Sequence, residues 1–125
     1  MNKYYFSLSI HFKKDIDLKV LQDALQIRAT KLTPLNESKG PEKFARFYYK
    51  TETMNEIYTD DEFGKFVDAI YGNINDLRPL LNEFDGRCSF CIVFEEMGEK
   101  PCISLSKETI EKLYNIGARF DVDFN

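Results

Sequence analysis

Tryptophan is absent from this chain, histidine occurs once, and cysteine three times. No apolar run approaches the roughly 20 residues that span a bilayer, so a membrane is not among the expected partners. Lys and Arg form no cluster and the formal net charge is -4; nucleic acid, which is held chiefly by grouped cations, is excluded on the same footing. The six glycines are scattered, and none falls in a Gly-x-Gly or Gly-Lys-Ser arrangement that cradles phosphate. Met1-Asn2-Lys3 leads into an alternating pattern rather than the continuous apolar core of a secretory leader, which gives an expected cytoplasmic address. An odd number of cysteines in such a chain reads as reduced thiols rather than a disulfide framework.

What is present suffices for a core. At 125 residues with 43% hydrophobic positions, 11 Phe and 7 Tyr, the chain reads as one domain over residues 1–125. It needs no disulfide or metal to hold it. Residues 4–12 alternate Tyr4, Phe6, Leu8, Ile10 and Phe12 against Tyr5, Ser7, Ser9 and His11, the period of a strand with one buried face. Asp17 caps a helix with Leu18, Leu21 and Leu25 on one ridge and Val20, Ala24 and Ile27 on the next, and Ile16 with Leu21 has the spacing of a hydrophobic staple. Residues 28–43, with Pro34, Gly40 and Pro41, show no period and read as one long irregular connection. The aromatic strand at residues 44–51 leaves its parity open, because Phe44, Arg46 and Tyr48 compete with Ala45, Phe47 and Tyr49 for the core side.

Thr59-Asp60-Asp61-Glu62 has the form of a capping box, stapled by Tyr58 and Phe63. The helix behind it shows Phe63, Phe66, Val67 and Ile70 on one face and stops near Gly72-Asn73. A second helix restarts at Asn75 or Asp76 with Leu77, Leu80, Leu81 and Phe84, and Pro79 falls in or near its first turn. From Arg87 onward the pattern reads strand (88–94), turn (Met97-Gly98-Glu99-Lys100-Pro101), strand (102–105), helix, strand. Ser106 caps the helix, whose apolar positions are read as Ile110, Leu113 and Tyr114, with Leu105 and Ile110 as a further staple. Gly117 ends it, and Ala118, Phe120, Val122 and Phe124 then alternate with Arg119, Asp121 and Asp123. The order β-α-β-α-α-β-β-α-β predicts an α+β domain. One mostly antiparallel sheet of about five strands carries three or four helices on its apolar face, and the other face is at least partly open.

Leu25-Gln26-Ile27-Arg28-Ala29-Thr30 at the close of the first helix, Lys39-Gly40 in the loop and the aromatic strand around Tyr48 form one part of a wider resemblance. The ending from Ser104-Leu105-Ser106 through Gly117 to Asp121-Val122-Asp123 forms the other. Together they resemble a family of small bacterial domains known as domain of unknown function 4279. The resemblance spans most of the chain and implies the fold; it implies no activity and no catalytic residue.

Candidate sites are therefore argued from the residues. Cys88-Ser89-Phe90-Cys91, with Cys102 and His11, has the composition of a zinc site. In a strand, however, residues three apart point to opposite faces, so Cys88 joins Phe90, Ile92 and Phe94 while Cys91 looks away, and neither a bridge nor a shared metal fits. Ser7, Ser9 and His11 share a polar face, yet no nucleophile elbow accompanies them. Asp121 and Asp123 beside Arg119 form a row that solvation alone explains. No metal, cofactor or catalytic set is expected, and enzymatic activity is disfavoured. The aromatic excess points elsewhere. If Tyr5, His11, Arg46, Tyr48, Arg119 and Asp121 share the open face, that face has the composition of a protein-binding hot spot. The expected function is a non-catalytic protein-binding module, an immunity-type role being one form of it. The alternative is a small-ligand-binding domain with a pocket between the sheet and the 28–43 loop.

Overall fold

A computed structural model of the chain describes residues 1–98 and 100–125. Its centre is β1 (Asn2–Phe12), in which Tyr4, Phe6, Leu8, Ile10 and Phe12 are almost wholly buried, as the alternation predicts. The chain continues through α1 (Leu18–Leu25), β2 (Lys31–Thr33), a short 3-10 turn (Leu35–Glu37), β3 (Ala45–Lys50) and β4 (Met54–Glu56). Then come α2 (Asp60–Tyr71), α3 (Ile74–Glu83), β5 (Gly86–Met97), α4 (Lys107–Ile116) and β6 (Arg119–Phe124). The sheet runs β2-β3-β1-β5-β6, and β4 pairs with the start of β1 beside the stretch that β3 occupies. Thr51 joins the two neighbours of β1, its N–H donating to the Phe6 carbonyl and its hydroxyl accepting from the Phe6 N–H. All pairings are antiparallel except β5 with β6, which the α4 crossover makes parallel. The fold is α+β, with six strands among the described residues where about five are expected.

Among the described residues, α1, α2, α3 and α4 all contribute to a single core over one face of the sheet. Phe63 of α2 sits at its middle, with ring centroids 5.3 Å from Phe6, 5.2 Å from Phe120 and 6.5 Å from Phe90. The parity of β3 is settled by packing: Ala45 and Phe47 are fully buried and Tyr49 stacks on Phe66 of α2, so Arg46 and Tyr48 point the other way. The staples Ile16–Leu21 and Tyr58–Phe63 both bury their members. Ser106 accepts from the Thr109 N–H, and Gly117 takes the left-handed conformation that ends α4.

Five expectations are corrected. Residues 102–105 are not a strand: β5 already has β1 on one edge and β6 on the other, so nothing remains there to pair with. The segment is extended, with Ile103 and Leu105 turned to the core, and its Ser104 N–H donates to Asp60 Oδ2 at 2.9 Å. The turn expected before it includes Glu99, which lies outside the described residues. The 28–43 connection is not irregular throughout, since β2 lies within it, and β4 also goes unanticipated; three residues are too few to show a period.

The inward face of α4 is Thr109, Leu113 and Ile116, whereas Ile110 and Tyr114 are exposed, so Leu105 and Ile110 form no staple. Close approach to α2 selects that face: a Cβ on Gly64 would stand 3.3 Å from Thr109 Oγ1, so the two helices meet at small residues. Thr59 occupies the N-cap of α2 but makes no capping hydrogen bond. Glu62, its intended counterpart, pairs with Lys65, and Asp60 accepts from the Tyr58 hydroxyl. Finally, α3 begins at Ile74, which puts Pro79 in its second turn. Both Pro79 and Asn75, whose carbonyl would have bonded the missing N–H, are exposed, so water can serve that carbonyl.

The open sheet face as candidate functional site

With every helix on the apolar side, the odd-numbered residues of β1 and their cross-strand neighbours form the uncovered side of the sheet. The register maps it as rows. Thr33, Arg46, His11 and Arg87 lie opposite one another across β2, β3, β1 and β5. The next row is Lys31, Tyr48, Ser9, Ser89 and Arg119. The third is Lys50, Ser7, Cys91 and Asp121, and beyond it Tyr5, Val93 and Asp123. In the second and third rows the two central strands thus present the small groups Ser9, Ser89, Ser7 and Cys91, and the long side chains rise on β3 and β6. A sheet built this way has a floor and two walls.

That relief makes a trough of about 400 Å³ whose lining includes Tyr5, Arg46, Tyr48, Arg119 and Asp121. On the β6 wall, Arg119 Nε stands 3.0 Å from Asp121 Oδ2, and Ser89 Oγ reaches the same carboxylate at 3.5 Å. On the β3 wall, Arg46 lies 5.5 Å from the centre of the Tyr48 ring and Lys50 Nζ lies 4.4 Å from that of Tyr5, both cation–π distances. Burial, and then the Tyr48 hydroxyl beside it, raise the Tyr5 pKa. Cys91 is pushed up to about 11, by burial first and then by Asp123. A thiol so protonated at neutral pH is a poor nucleophile.

His11 lies at the end of the trough, its ring centroid 5.6 Å from Phe44, and it lines with Arg46 a second hollow of about 420 Å³ against the 28–43 loop. Burial and the Arg46 guanidinium lower its pKa, so the imidazole is neutral at pH 7. Among the described residues no hydrogen bond joins it to Ser7 or Ser9, and the register sets Ser9 against Tyr48 and Ser89 instead. Cys88 points into the core, where burial pushes its thiol up to about 12. Cys91 is on the open face and Cys102 is exposed, so the three sulfurs are in three environments.

All six anticipated residues share one face, five of them around the trough and His11 beside it. Sequence reasoning missed Lys31, Lys50, Ser89 and Arg87 as members of the same surface. Ser89 and Arg87 have the parity of Cys91 and were legible as such; Lys31 belongs to a strand too short to read.

The chain belongs to the family described as a domain of unknown function (DUF4279), whose family model matches residues 2–125. No curated protein and no solved structure matches the chain. Membership in this family accords with the whole chain folding around β1 and supplies no chemistry for its open face. Among the described residues, no helix is long and apolar enough to cross a membrane.

Proposed function

We propose that the chain is a non-catalytic, protein-binding module of the bacterial cytoplasm that docks its partner on the open face of the sheet. One observation carries this reading: Tyr5, Tyr48, Arg46 and Arg119, side-chain types that dominate protein interfaces, stand together around a floor of small polar groups on a face that no helix covers. A trough with polar walls and a hydroxyl-lined floor suits contact with another surface better than enclosure of a small molecule. Occlusion of a toxin's active site, an immunity-type role, is the form of docking that the size of the chain and its net charge of -4 suit.

The hollow between the sheet and the 28–43 loop, with His11, Lys31, Lys39 and Arg46 in its lining, favours the second reading, a small-ligand-binding or regulatory domain. The two separate in one experiment. Tagged chain is co-expressed with the products of its neighbouring genes, and co-purification is compared for wild type, Tyr48→Asp and Tyr114→Asp. Docking on the sheet predicts loss of the partner with Tyr48→Asp alone; loss with Tyr114→Asp alone, from the exposed side of α4, contradicts it. A small-molecule site predicts no co-purifying protein, and a ligand whose release follows substitution of Lys39.

A further inference from the structure

The cations of the open face differ in what they rest against. Arg119 stands within ion-pair distance of Asp121 on β6, and Lys3 within reach of Glu95. Lys31, Arg46, Lys50 and Arg87 do not pair with any carboxylate among the described residues, and Arg46 and Lys50 rest instead on tyrosine rings. Three of the four gather on β2 and β3, where Lys31 lies directly opposite Tyr48. Arg46, Tyr48 and Lys50 then form a stripe of cation, aromatic ring and cation along one side of β3. The far wall has the opposite sign, since β6 carries Asp121 and Asp123 on the same face. In a chain of net charge -4, a local excess of unpaired positive charge beside an aromatic ring calls for a negative counterpart.

The spacing narrows the counterpart. Residues four apart on a strand are about 13 Å apart, so Arg46 and Lys50 flank Tyr48 at a distance that a single phosphate or carboxylate does not bridge. An extended peptide repeats its own side chains on one face about every 7 Å, the interval from Arg46 to Tyr48 and again from Tyr48 to Lys50. Resting on the docking function proposed above, we infer that the partner contributes an extended acidic segment, with carboxylates at positions i and i+4 and an apolar side chain at i+2. The segment lies along β3 with its acids against Arg46 and Lys50 and its apolar residue on Tyr48. Lys31 adds a third positive group beside Tyr48. Asp121 and Asp123 repel the segment from β6 and so fix which wall of the trough it uses. Glu37 and Glu42, in the loop beyond Arg46, limit its reach at that end.

The test is selection from a random peptide display library on the folded full-length chain, followed by affinity measurement with the synthetic winners. The expected winners carry the acid-x-apolar-x-acid pattern. Their affinity falls by roughly tenfold or more in the exposed-site variant R46E/K50E, and it weakens as salt is raised. Circular dichroism of that variant establishes that the fold is intact. Winners that lack acidic residues but are lost on Tyr48→Ala overturn the acidic segment and leave docking on the open face standing. Winners indifferent to every open-face substitution, or no winners at all, overturn both. Displacement of an acidic winner by inorganic phosphate at the same concentration, or tighter binding of a single-stranded oligonucleotide, also overturns the inference, the first assigning a point-anion site and the second a nucleic-acid groove.

Discussion

The two sides of β1 alternate residue by residue and differ in almost every physical respect. Tyr4, Phe6, Leu8, Ile10 and Phe12 lie under four helices at 2% exposure or less. Tyr5, Ser7, Ser9 and His11, their immediate neighbours in the chain, face the uncovered side. On the helical side, the identity of each residue is dictated by volume, because rings meet rings at 5 to 7 Å and little space is left over. The open side has no such constraint, yet it holds tyrosines, guanidinium groups and small hydroxyls in register. A face freed from packing that still concentrates interface-type side chains is the part of the molecule where function, rather than stability, explains the choice of residue.

That contrast sets the scale of the following outcomes. Truncating the most central ring, Phe63→Ala, is expected to destabilise by about 3–5 kcal/mol in urea or thermal denaturation, and a loss comparable to that of a surface change would place the core elsewhere. Gly86→Ala inserts a Cβ 2.5 Å from a Phe12 ring carbon and 2.8 Å from Leu81 Cδ2; a loss of about 1–3 kcal/mol is expected by the same measurement. Removing the α4 cap with Ser106→Ala is expected to cost about 1 kcal/mol. Tyr48→Ala and Arg46→Ala should shift stability by no more than about 0.5 kcal/mol while abolishing partner retention, and a large stability loss there would erase the distinction between the faces.

His11 provides the smallest and most specific effect. Its folded pKa lies below the ordinary 6.5, so the unfolded chain binds more protons in the window between the two values. Stability contributed by this group is therefore present above pH 6.5 and is lost as pH falls through that window to the folded pKa. His11→Gln should flatten the corresponding part of the stability–pH curve. An unchanged curve would contradict the burial and the Arg46 contact assigned to this side chain.

The sequence revealed more of the core than of the site, for reasons that differ by element. β1 was legible because its alternation is unbroken over nine residues from Tyr4 to Phe12. β3 was ambiguous because both of its faces carry aromatic rings, and the burial of Ala45 and Phe47 with the stacking of Tyr49 on Phe66 resolves it. α4 was misread because hydrophobicity favoured Ile110 and Tyr114, whereas the decisive contact is Thr109 against Gly64, a fit of small groups that periodicity ignores. Residues 102–105 alternate as a strand does, but membership of a sheet depends on a free edge, and that is a property of the whole topology. The site residues of β1 and β6 were anticipated through strand parity, whereas Arg46 and Tyr48 lie on the strand whose parity the sequence leaves open. Their relief, small groups on β1 and β5 between taller ones on β3 and β6, required knowing that β1 and β5 are neighbours.

The division between a packed face and a docking face is tested most directly by hydroxyl-radical footprinting of the chain alone and in complex with its partner. Docking on the sheet predicts protection of Tyr5 and Tyr48 on complex formation, with Ile110 and Tyr114 on α4 labelled equally in both states. Protection of Ile110 and Tyr114, with Tyr5 and Tyr48 unchanged, would contradict it.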